Sequence, residues 1–499
     1  MRLSDLLQTA APPVQVPSGP DPDVTAVCYD SRQVVQGALF AAIRGVRADG
    51  HAFIGDAVAR GAAALLVDRP TSAPIPVVQS PDVRRTLAQV AAAFYGRPSA
   101  DLFVVGITGT NGKTTTAYLI EAILAAAGHR VGVVGTINYH YGGLSFANPV
   151  TTPESLDLQH ILAQMRSAGI THAVMEVSSH ALDQHRVEAV DFNVGIFTNL
   201  TQDHLDYHGD MNAYWDCKRR LFTQLLPRGP KAHQATAVVN LDDPRGKELC
   251  PHSTLNCLTY GVDPQSRIRP LNWEATVSGL KARLETPVGI IDIDSPLVGR
   301  HNLDNVMAAV GCGIAAGVPA AVIGQGIESL DRVAGRLERV PDPWGRHIYV
   351  DYAHTPDALA HALGALRPVT PGRLICVFGC GGDRDRGKRP LMGEIAGRLS
   401  DLVVVTSDNP RSEPPLAIID EILPGLRRSA SPDRWEIESD RLAAIGRALS
   451  LAKPGDTVLI AGKGHETYQI LADRTVDFDD REAVRINLKR KSSPLREGP

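Results

Sequence analysis

The chain has 499 residues, which is too long for a single hydrophobic core, and the usual size of a domain predicts about three domains. Its 43% hydrophobic and 21% charged content is that of an ordinary soluble globular protein. The formal net charge of -4, without a long basic run, argues against a protein that binds nucleic acid.

The N-terminal segment and the cysteines indicate a cytoplasmic protein. The segment "MRLSDLLQTA" lacks the apolar core of a signal peptide, and seven cysteines without a CxxC pair predict reduced thiols. One stretch, 306–327, is apolar enough to suggest a membrane span, but it contains five glycines and Pro319. Spanning helices are usually rich in Leu, Ile and Phe, so we predict two buried helices with a break near Gly317 and no membrane insertion.

The first block of predicted elements covers residues 1–98. Short apolar strands, such as 37–43 and 62–68, alternate with polar turns, and the block ends in a predicted helix at 84–96. We expect this block to form a small domain.

The next two blocks, 99–335 and 336–499, each alternate apolar β-rich runs with helical stretches. The predicted strands lie at 102–110, 130–137, 171–177, 192–200, 236–242, 346–354, 373–380, 401–408 and 456–462. This alternation predicts an α/β fold with mostly parallel sheets. Because ligands bind outside the carboxyl ends of strands in such sheets, we expect the last block to hold a site of its own.

The segment 104–128 has the pattern of a phosphate-binding loop: a strand, a glycine turn and a helix. Gly109 and Gly112 let the backbone bend around phosphates and direct N–H groups at them. Lys113 would reach the β- and γ-phosphates, and the Thr114 hydroxyl would bind Mg²⁺. The general pattern G-x-x-x-x-G-K-[ST] is not met, because its first glycine falls on Ile107, so "GTNGKTT" is a shorter variant.

Two further residues predict metal binding beside this loop. Glu176 ends the predicted strand 171–177, and His204 follows the next strand along the chain. Phosphoryl transfer needs metal ligands and charge neutralisation around the γ-phosphate. A strand-end Glu or a lone His is usually structural, but together at one sheet edge they favour a metal role.

Six motifs then resemble one family, the Mur ligases, which are ATP-dependent amide-bond-forming enzymes of peptidoglycan precursor synthesis. In chain order these are "GTNGKTT", "MEVSSHAL", "FTNLTQDHLDYHG", "GRHNLDN", "DYAHTPDAL" and "GCGGDRDRGKRP", and the resemblance covers nearly the whole chain. It implies a three-domain α/β architecture: a UDP-substrate-binding domain at 1–98, a central ATP-binding P-loop domain at 99–335 and a Rossmann-like amino-acid-binding domain at 336–499.

Within the family, "DSR" at 30–32, "TTPES" at 151–155 and "DNPR" at 408–411 resemble the member that adds a third amino acid to UDP-N-acetylmuramoyl-L-alanyl-D-glutamate. DNPR resembles the form that uses meso-2,6-diaminopimelate. The implied reaction consumes ATP with Mg²⁺ through an acyl phosphate, without a protein nucleophile. The implied protein is a cytoplasmic monomer.

The resemblance also implies roles for individual residues. The lysine that matches Lys218 is carbamylated in the family, and its carboxylate helps to hold a second Mg²⁺; an ordinary surface lysine is the alternative. The implied catalytic residues are Lys113, Glu176, His204 and Lys218, and the implied metal ligands are Thr114, Glu176, His204 and Lys218. Arg336 would reach the phosphates only when the domains close. The implied ATP contacts are Gly109, Thr110, Asn111, Gly112, Lys113, Thr114, Thr115, His301, Asn302, Asn305, Arg336, Asp351 and His354. For Asn302, a helix N-cap remains an alternative.

The UDP-substrate contacts implied by the resemblance lie in the first and central domains. They are Ser31, Val46, Arg47, Ala48, Thr151, Thr152, Ser178, Gln184 and Arg186.

The charged clusters at 378–390 and 406–415 predict the amino-acid pocket. Meso-diaminopimelate carries a carboxylate and an ammonium at its far end, and Arg411 offers a planar fork for the carboxylate. The predicted pocket residues are Arg384, Asp408, Asn409, Pro410, Arg411, Gly462 and Glu466. Glu466 would accept the ammonium, and we expect two of Arg386, Lys388 and Arg389 to be solvated. The alternative for DNPR is a simple Asn-Pro turn.

Several other functions remain open. An L-lysine-adding relative or another Mur ligase would differ at DNPR, and a folylpolyglutamate synthetase would lack DSR, TTPES and the long first domain. A P-loop protein that acts as a nucleotide switch without ligation would not need Lys218, His204 or DNPR. A structural protein with no ligand would not need charged strand ends.

Overall fold

The computed structural model describes residues 1–8, 14, 19–45, 48–250 and 255–492. The chain forms two compact units: the first consists of Met1–Arg269, Glu285–Ile291 and Asp304–Gly326, and the second of Pro270–Leu284, Asp292–Leu303 and Ile327–Pro499. Within the described ranges, no helix combines the length and the apolar character needed to cross a membrane.

The first sheet consists of four short parallel strands in the order β1-β2-β3-β4. Its strands are β1 (Ala26–Cys28), β2 (Ala38–Ala41), β3 (Ala64–Val67) and β4 (Val77–Gln79), and the helices of this region are α1 (Leu3–Leu7), α2 (Ile54–Ala59), α3 (Val83–Phe94) and α4 (Pro98–Asp101). Asp82 caps α3 by accepting from the Arg85 N–H, which satisfies a free donor of the first turn. Leu87, Val90 and Ala91 on one face of α3 pack into the core of this sheet, which confirms the predicted helix.

The central sheet has eight strands in the order β12-β11-β10-β5-β9-β6-β7-β8, and only the last two pairings are antiparallel. Its strands are β5 (Phe103–Thr108), β6 (Val131–Val134), β7 (Tyr139–Tyr141), β8 (Leu144–Phe146), β9 (His172–Glu176), β10 (Val194–Phe197), β11 (Thr236–Asn240) and β12 (Asn256–Tyr260). Its helices are α5 (Lys113–Ala126), α6 (Ser155–Ser167), α7 (Ser179–Asp183), α8 (Leu205–His208), α9 (Met211–Arg220) and α10 (Pro244–Leu249). Thr108 pairs with Phe197, and Ile107 pairs with Glu176, so β5, β9 and β10 end at one edge.

A three-stranded sheet and two helices follow. The sheet has the order β13-β14-β15, with β13 (Arg269–Thr276), β14 (Gly279–Thr286) and β15 (Gly289–Ser295), and the helices are α11 (His301–Ala315) and α12 (Ala320–Glu328). The chain leaves α11 at Gly317, whose φ of +73° suits glycine. The two helices predicted within 306–327, with a break near Gly317, are thereby confirmed.

The second unit contains a six-stranded sheet in the order β16-β17-β21-β18-β19-β20, parallel except for β16. Its strands are β16 (Glu338–Val340), β17 (His347–Asp351), β18 (Leu374–Phe378), β19 (Leu402–Val405), β20 (Trp435–Ile437) and β21 (Thr457–Ala461), with a two-stranded ribbon of β22 (Tyr468–Ile470) and β23 (Thr475–Asp477). Its helices are α13 (Pro356–Leu366), α14 (Lys388–Leu399), α15 (Pro415–Ser429), α16 (Arg441–Leu451) and α17 (Asp480–Ser492). Apolar clusters lie on both faces of the six-stranded sheet, as expected for parallel strands covered by helices.

The predicted α/β class with mostly parallel sheets is confirmed, whereas the prediction for the cysteines is wrong at one pair. Cys250 and Cys257 form a disulfide with a Cα–Cα distance of 6.2 Å, while Cys28, Cys217, Cys312, Cys376 and Cys380 are free and buried. Cys250 directly follows α10 and Cys257 lies in β12, so the fold brings these two cysteines together. Because their spacing is not CxxC, no sequence pattern indicated the pair. The domain boundaries at 98 and 335 stay a prediction.

Candidate active site

The glycine loop between β5 and α5 approaches its neighbours so closely that only glycine fits. A Cβ on Gly109 would lie 1.8 Å from Thr198 Oγ1, and one on Gly112 would lie 2.3 Å from Asn305 Oδ1. Both glycines also have positive φ, at 146° and 87°. The strand, turn and helix predicted at 104–128 are confirmed.

The segment that follows β10 holds the loop in place. Asn199 O accepts from the Thr110 N–H at 2.8 Å, and Asn199 Oδ1 accepts from the Asn111 N–H at 2.9 Å. The Thr198 hydroxyl donates to Asn111 O at 2.7 Å. These contacts join residues almost ninety positions apart, and sequence reasoning did not assign Thr198 or Asn199 a role. The only signal was their place in the motif "FTNLTQDHLDYHG".

Glu176 lies buried beside the first turn of α5. Its Oε1 accepts from the Thr114 hydroxyl and from the Thr136 N–H, both at 2.9 Å, and its Oε2 accepts from the Thr136 hydroxyl at 3.0 Å. Hence the structure brings together two of the predicted metal ligands, Thr114 and Glu176. A carboxylate and a hydroxyl are oxygen ligands of the kind that Mg²⁺ prefers.

Two lysines share one carbonyl of the glycine loop. Lys113 Nζ donates to Gly109 O at 3.0 Å and to Thr110 O at 2.8 Å, and Lys218 Nζ donates to Gly109 O at 2.8 Å. Lys218 is only 1% exposed, and its Nζ lies 4.4 Å from the centroid of the Tyr214 ring. Burial, and then the positive charge of Lys113, hold the pKa of Lys218 well below its usual range. An ordinary surface lysine is therefore excluded at this position.

His204 occupies a different local environment. It has a left-handed backbone conformation, with φ of 52°, directly before α8, and its side chain is about half exposed. Its Nε2 lies 3.5 Å from Asp203 Oδ2, and its ring packs edge-on against His180 at 4.9 Å. Among the described residues, no three His, Cys, Asp or Glu side chains form a group that could hold a metal. A site with few protein ligands is compatible with Mg²⁺, because this ion usually keeps several water molecules and takes substrate phosphates as further ligands.

The predicted UDP-substrate residues of the central domain form one hydrogen-bonded group. The Thr152 hydroxyl donates to Glu176 O at 2.9 Å and accepts from the Ser178 N–H at 3.1 Å. Arg186 donates from Nη1 to Thr152 O and from Nη2 to Gln184 Oε1, both at 2.8 Å. Thr151 joins the group through Thr136, with 3.2 Å between the two hydroxyls.

A cavity of about 520 Å³ opens beside this group. Arg186, Glu154, Asp157 and Tyr29 are among its lining residues, and the Tyr29 hydroxyl donates to Asp157 Oδ2 at 2.5 Å. Glu154 forms ion pairs with Arg186 at 3.0 Å and with Arg84 at 2.6 Å. Neither Tyr29 nor Glu154 was predicted from the sequence, although Tyr29 adjoins the motif "DSR" and Glu154 lies in "TTPES".

The structure describes only two of the four UDP-substrate contacts that were predicted within residues 1–98. Ser31 is buried at the start of a short 3₁₀ turn, Ser31–Gln33, which Asp30 caps. Ala48 is exposed, and its carbonyl accepts from the Gly45 N–H at 2.9 Å. Val46 and Arg47 lie outside the described residues.

The remaining predicted ATP contacts lie near α5, at the start of α11 and after β17. Thr115 is buried in the first turn of α5, and Asn302 is buried and donates from Nδ2 to Val298 O at 2.8 Å, whereas His301 is exposed. The Asp351 carboxylate accepts from the N–H groups of Leu337 and Ala353, at 2.7 and 2.8 Å, and burial raises its pKa.

Arg336 and His354 both contact Tyr352. The Arg336 guanidinium lies 5.4 Å from the centroid of the Tyr352 ring, and the ring of His354 lies 4.5 Å from that of Tyr352. Burial lowers the pKa of His354. Asp351, His354 and Arg336 thus lie close together at the end of β17.

The two arginines of the predicted amino-acid pocket both approach Gly381. An ideal Cβ on Gly381 would lie 2.9 Å from Arg411 Nη1 and 3.7 Å from Arg384 Cγ. Arg411 has a positive φ of 52° and donates from Nη1 to Gly382 O at 2.9 Å, and Arg384 is exposed. Pro410 precedes Arg411, and the carbonyl of Pro410 would lie 1.9 Å from a Cβ on Gly382.

Arg411 also donates to Asn409 O at 3.3 Å, and Asn409 belongs to a group that we call the inner cluster: Asp408, Asn409, Lys463 and Glu466. Lys463 is fully buried, and its Nζ donates to Glu466 Oε2 at 2.9 Å and to Asn409 Oδ1 at 3.1 Å. Asn409 Nδ2 donates to Glu466 Oε2 at 3.0 Å. Gly462, with φ of 120°, adjoins the cluster, since a Cβ there would lie 2.8 Å from Asp408 Oδ2. Lys463 was not predicted from the sequence, although Gly462 and Glu466 on either side of it were.

The arginine-rich turn is less solvated than expected. Arg386 is exposed and pairs with Glu421, and Lys388 is half-buried and donates to His354 O at 2.8 Å. Arg389 is fully buried and pairs with Glu413 at 2.7 Å and with Glu421 at 3.0 Å. Their partners lie more than twenty residues away in the chain, which explains why the local charge pattern suggested solvent exposure.

Comparisons with known proteins identify the family of the chain. Three family models match: the Mur ligase family catalytic domain at residues 23–95, the Mur ligase middle domain at 107–313 and the Mur ligase glutamate ligase domain at 335–464. A UDP-N-acetylmuramoyl-L-alanyl-D-glutamate--2,6-diaminopimelate ligase from Geobacter metallireducens is 46% identical over 99% of both chains, and one from Gloeobacter violaceus is 47% identical over 99% of both.

Solved structures show the same fold. A UDP-N-acetylmuramoyl-L-alanyl-D-glutamate--2,6-diaminopimelate ligase matches with a TM-score of 0.69 and 33% identity, over 94% of this chain and 96% of the other. A folylpolyglutamate synthase from Mycobacterium tuberculosis shares the fold, at a TM-score of 0.61 and 21% identity, over 76% of this chain and 92% of the other. With full-length relatives above 40% identity and family models on all three blocks, the chain belongs to the Mur ligase family.

Proposed function

We propose that the protein is an ATP-dependent ligase that joins meso-2,6-diaminopimelate to UDP-N-acetylmuramoyl-L-alanyl-D-glutamate and releases ADP and phosphate. Supporting this proposal, the full-length relatives carry the name of that ligase. The structural observation that carries it is that Arg384 and Arg411 both approach Gly381, and that Arg411 also contacts Asn409 of the inner cluster. The guanidinium of Arg411 offers a distal carboxylate a planar, bidentate contact, and we propose that Arg384 adds a second contact. Lysine has no distal carboxylate that could accept either one. Since both ATP and a UDP-linked precursor are cytoplasmic, we propose that the enzyme is cytoplasmic. We also propose that it is a monomer.

The proposed chemistry needs positioning and charge stabilisation more than a protein nucleophile. The glutamyl carboxylate of the UDP-substrate attacks the γ-phosphate of ATP, and the amine of diaminopimelate then attacks the acyl phosphate. Lys113 and the N–H groups of the loop at 109–112 would stabilise the charge on the transferred phosphoryl group. Thr114 and Glu176, with His204, would hold Mg²⁺, which neutralises phosphate charge when bound. Carbamylated Lys218 is proposed as a further metal ligand.

The UDP-substrate would bind along the hydrogen-bonded group of Thr151, Thr152, Ser178, Gln184 and Arg186, with Ser31 and the 46–48 segment holding the nucleotide. Four of these residues, Thr152, Ser178, Gln184 and Arg186, are already joined by the contacts described above, and Thr151 is held through Thr136. Little side-chain ordering is therefore left to occur on binding. Asn111, Asn302, Asn305, His301, Arg336, Asp351 and His354 are proposed to contact ATP.

One reaction tests the proposal directly. The protein is incubated with ATP, Mg²⁺ and the UDP-muramoyl dipeptide, with meso-diaminopimelate or L-lysine offered separately, and the product mass and ADP are measured. We expect a diaminopimelate adduct and ADP only when all substrates are present. Equal use of L-lysine would assign the chain to the lysine-adding form, and ATP hydrolysis independent of both co-substrates would favour a nucleotide switch.

The Arg411→Ala variant tests the amino-acid pocket itself. Arg411 is half-buried and bonded to backbone carbonyls, so a lost charge-assisted contact of about 1.5–3 kcal/mol is expected. The KM for meso-diaminopimelate should rise about 10-fold to 100-fold, while the KM values for ATP and the UDP-substrate stay nearly unchanged. Parent-like diaminopimelate kinetics would contradict the assignment of Arg411.

A further inference from the structure

The inner cluster contains one buried cation, Lys463. The charges of the proposed substrate do not by themselves explain why a cation lies there. Lys463 is fully buried, and its Nζ lies 2.9 Å from Glu466 Oε2 and 3.9 Å from Asp408 Oδ1. A buried lysine without a paired charge would lower the stability of the fold, so the two neighbouring carboxylates are needed to stabilise its charge. It lies two residues beyond the end of β21, at the carboxyl edge of the sheet.

Lys463 and Asn409 together fix the Glu466 carboxylate. Both donate to the same oxygen, Oε2, at 2.9 and 3.0 Å, and Asn409 Oδ1 in turn accepts from Lys463 at 3.1 Å and from the Ile470 N–H at 3.0 Å. This closed set of contacts ties the segment after β19 to the segment after β21. A charged side chain held by two donors has little rotamer freedom left to lose on binding.

The backbone beneath the cluster is held by a second buried cation. Arg441, at the start of α16, donates to Ser407 O at 3.1 Å and to Ala461 O at 3.0 Å. Its charge is matched by Asp480, in a fully buried pair at 2.7 Å. Because this pair is neutral as a whole, it adds no net charge to the inner cluster.

The inner cluster has one negative charge in excess, since it holds two carboxylates and one ammonium group. The distal end of diaminopimelate is a zwitterion, with one ammonium and one carboxylate. One excess negative charge suits the ammonium, and a second would repel the neighbouring carboxylate before Arg411 and Arg384 reached it.

We propose that Lys463 is a positioning residue that sets the selectivity of the pocket for a zwitterionic distal end, by holding Glu466 and by limiting the cluster to one excess negative charge. This inference rests on the proposed function and goes beyond it, because it assigns the preference for an acid over its amide to a residue that touches no substrate. The arginines hold the carboxylate, and Lys463 keeps the cluster from repelling it.

Two ligands of the same shape test the charge argument. They are meso-diaminopimelate and the same molecule with its distal carboxyl converted to a carboxamide, whose distal end carries only the ammonium. The measured quantity is the ratio of kcat/KM for the acid to kcat/KM for the amide, from initial rates of product formation in the parent and in each variant.

Lys463→Met removes the cation and leaves two excess negative charges, so the ratio should fall at least about fivefold, with the KM values for ATP and the UDP-substrate within about twofold of the parent. Glu466→Gln leaves none in excess, so the ratio should rise, although both rates fall. These opposite signs separate an electrostatic role from a general loss of packing.

Lys453→Met is the matched control. Lys453 is exposed and precedes β21. Its substitution by Met therefore makes the same change of charge as Lys463→Met, at the opposite end of the same strand. Its ratio should equal that of the parent.

Each outcome decides the proposal. A ratio within twofold of the parent in Lys463→Met would overturn it, as would an equal loss for both ligands. If Lys463→Met does not fold, Glu466→Gln decides alone, and an unchanged or lower ratio there overturns the inference. Failure of the parent to join either ligand would overturn the proposed function and this inference together, whereas activity in the parent with an unaltered variant ratio overturns the inference alone.

Discussion

Lys218 and Lys113 donate to the same carbonyl oxygen, Gly109 O, at 2.8 and 3.0 Å. Two cations that share one acceptor repel each other, and this repulsion adds to burial in lowering the pKa of Lys218. A neutral amine is the form that reacts with carbon dioxide. Carbamylation would turn Lys218 into an anion, so its repulsion with Lys113 would become attraction. The geometry therefore supports the modification that the family resemblance implies.

The first prediction tests this modified lysine. Lys218→Ala should lower kcat by about 10²-fold to 10³-fold, because it removes a charged group next to the phosphate loop. Short carboxylic acids, such as acetate, should restore part of the activity by supplying the missing anion, and a misfolded variant would not respond to them. Full activity of Lys218→Arg would contradict the carbamate, since arginine cannot form it.

Local motifs identified the glycine loop but not the contacts that hold it. Gly109 and Gly112 were predicted because a tight turn needs glycine, and this need shows in the sequence itself. Thr198, by contrast, matters through its approach to Gly109, which only strand pairing creates. Lys463 was missed for the same reason. Its partner Asn409 lies 54 residues away, and no spacing rule connects the two.

The helices α14 and α15 hold the two loops of the proposed amino-acid pocket at a fixed separation. A Cβ on Gly425 would lie 1.8 Å from Pro390 O, so the helices pack backbone against backbone. Arg389, at the start of α14, pairs with Glu413 just before α15 and with Glu421 within it. Arg384 and Arg411 lie on the loops that enter these helices, so their approach to Gly381 depends on this packing.

The second prediction tests that dependence. Arg389→Met removes a fully buried cation from two partly exposed carboxylates, which should cost about 2–3 kcal/mol of the free energy of unfolding after allowance for solvent screening. The KM for meso-diaminopimelate should also rise about fivefold, because the loops lose their fixed separation.

Arg428→Met is the control for Arg389→Met. Arg428 pairs with Glu394 at 2.9 Å across the same two helices, but both side chains are exposed. Loss of such a pair costs only about 0–1 kcal/mol, and we expect no change in the KM for meso-diaminopimelate. Thermal melting and steady-state kinetics measure both variants. Equal effects of the two substitutions would show that burial of Arg389 does not matter.

Apolar runs predicted the buried parallel strands well and the exposed strands poorly. The strands β18, β19 and β21 are buried along their whole length, so their sequences are continuous apolar runs. The sheet of β13, β14 and β15 was not predicted. Most residues of β13 are exposed, so it lacks the alternation of apolar and polar residues that marks a half-buried strand, whereas β14 and β15 do alternate and could have been found.

Across the whole molecule, the proposed substrate contacts divide between the two compact units. Every described UDP-substrate contact, from Ser31 to Arg186, belongs to the first unit. Every diaminopimelate contact, from Arg384 to Glu466, belongs to the second. Chains with more than one such unit often unfold in more than one step, so ligand effects on each step are separable.

The last prediction uses this division. A ligand that binds only the folded form stabilises it by RT ln(1 + [L]/Kd), which is about 2.7 kcal/mol at one hundred times Kd. In calorimetry, the UDP-muramoyl dipeptide should raise the melting temperature of one transition by about 5 °C, and meso-diaminopimelate should raise that of the other. In Arg411→Ala the second shift should disappear while the first remains, because the substitution lies in the second unit alone. A single transition that both ligands raise equally would mean that the two units unfold as one.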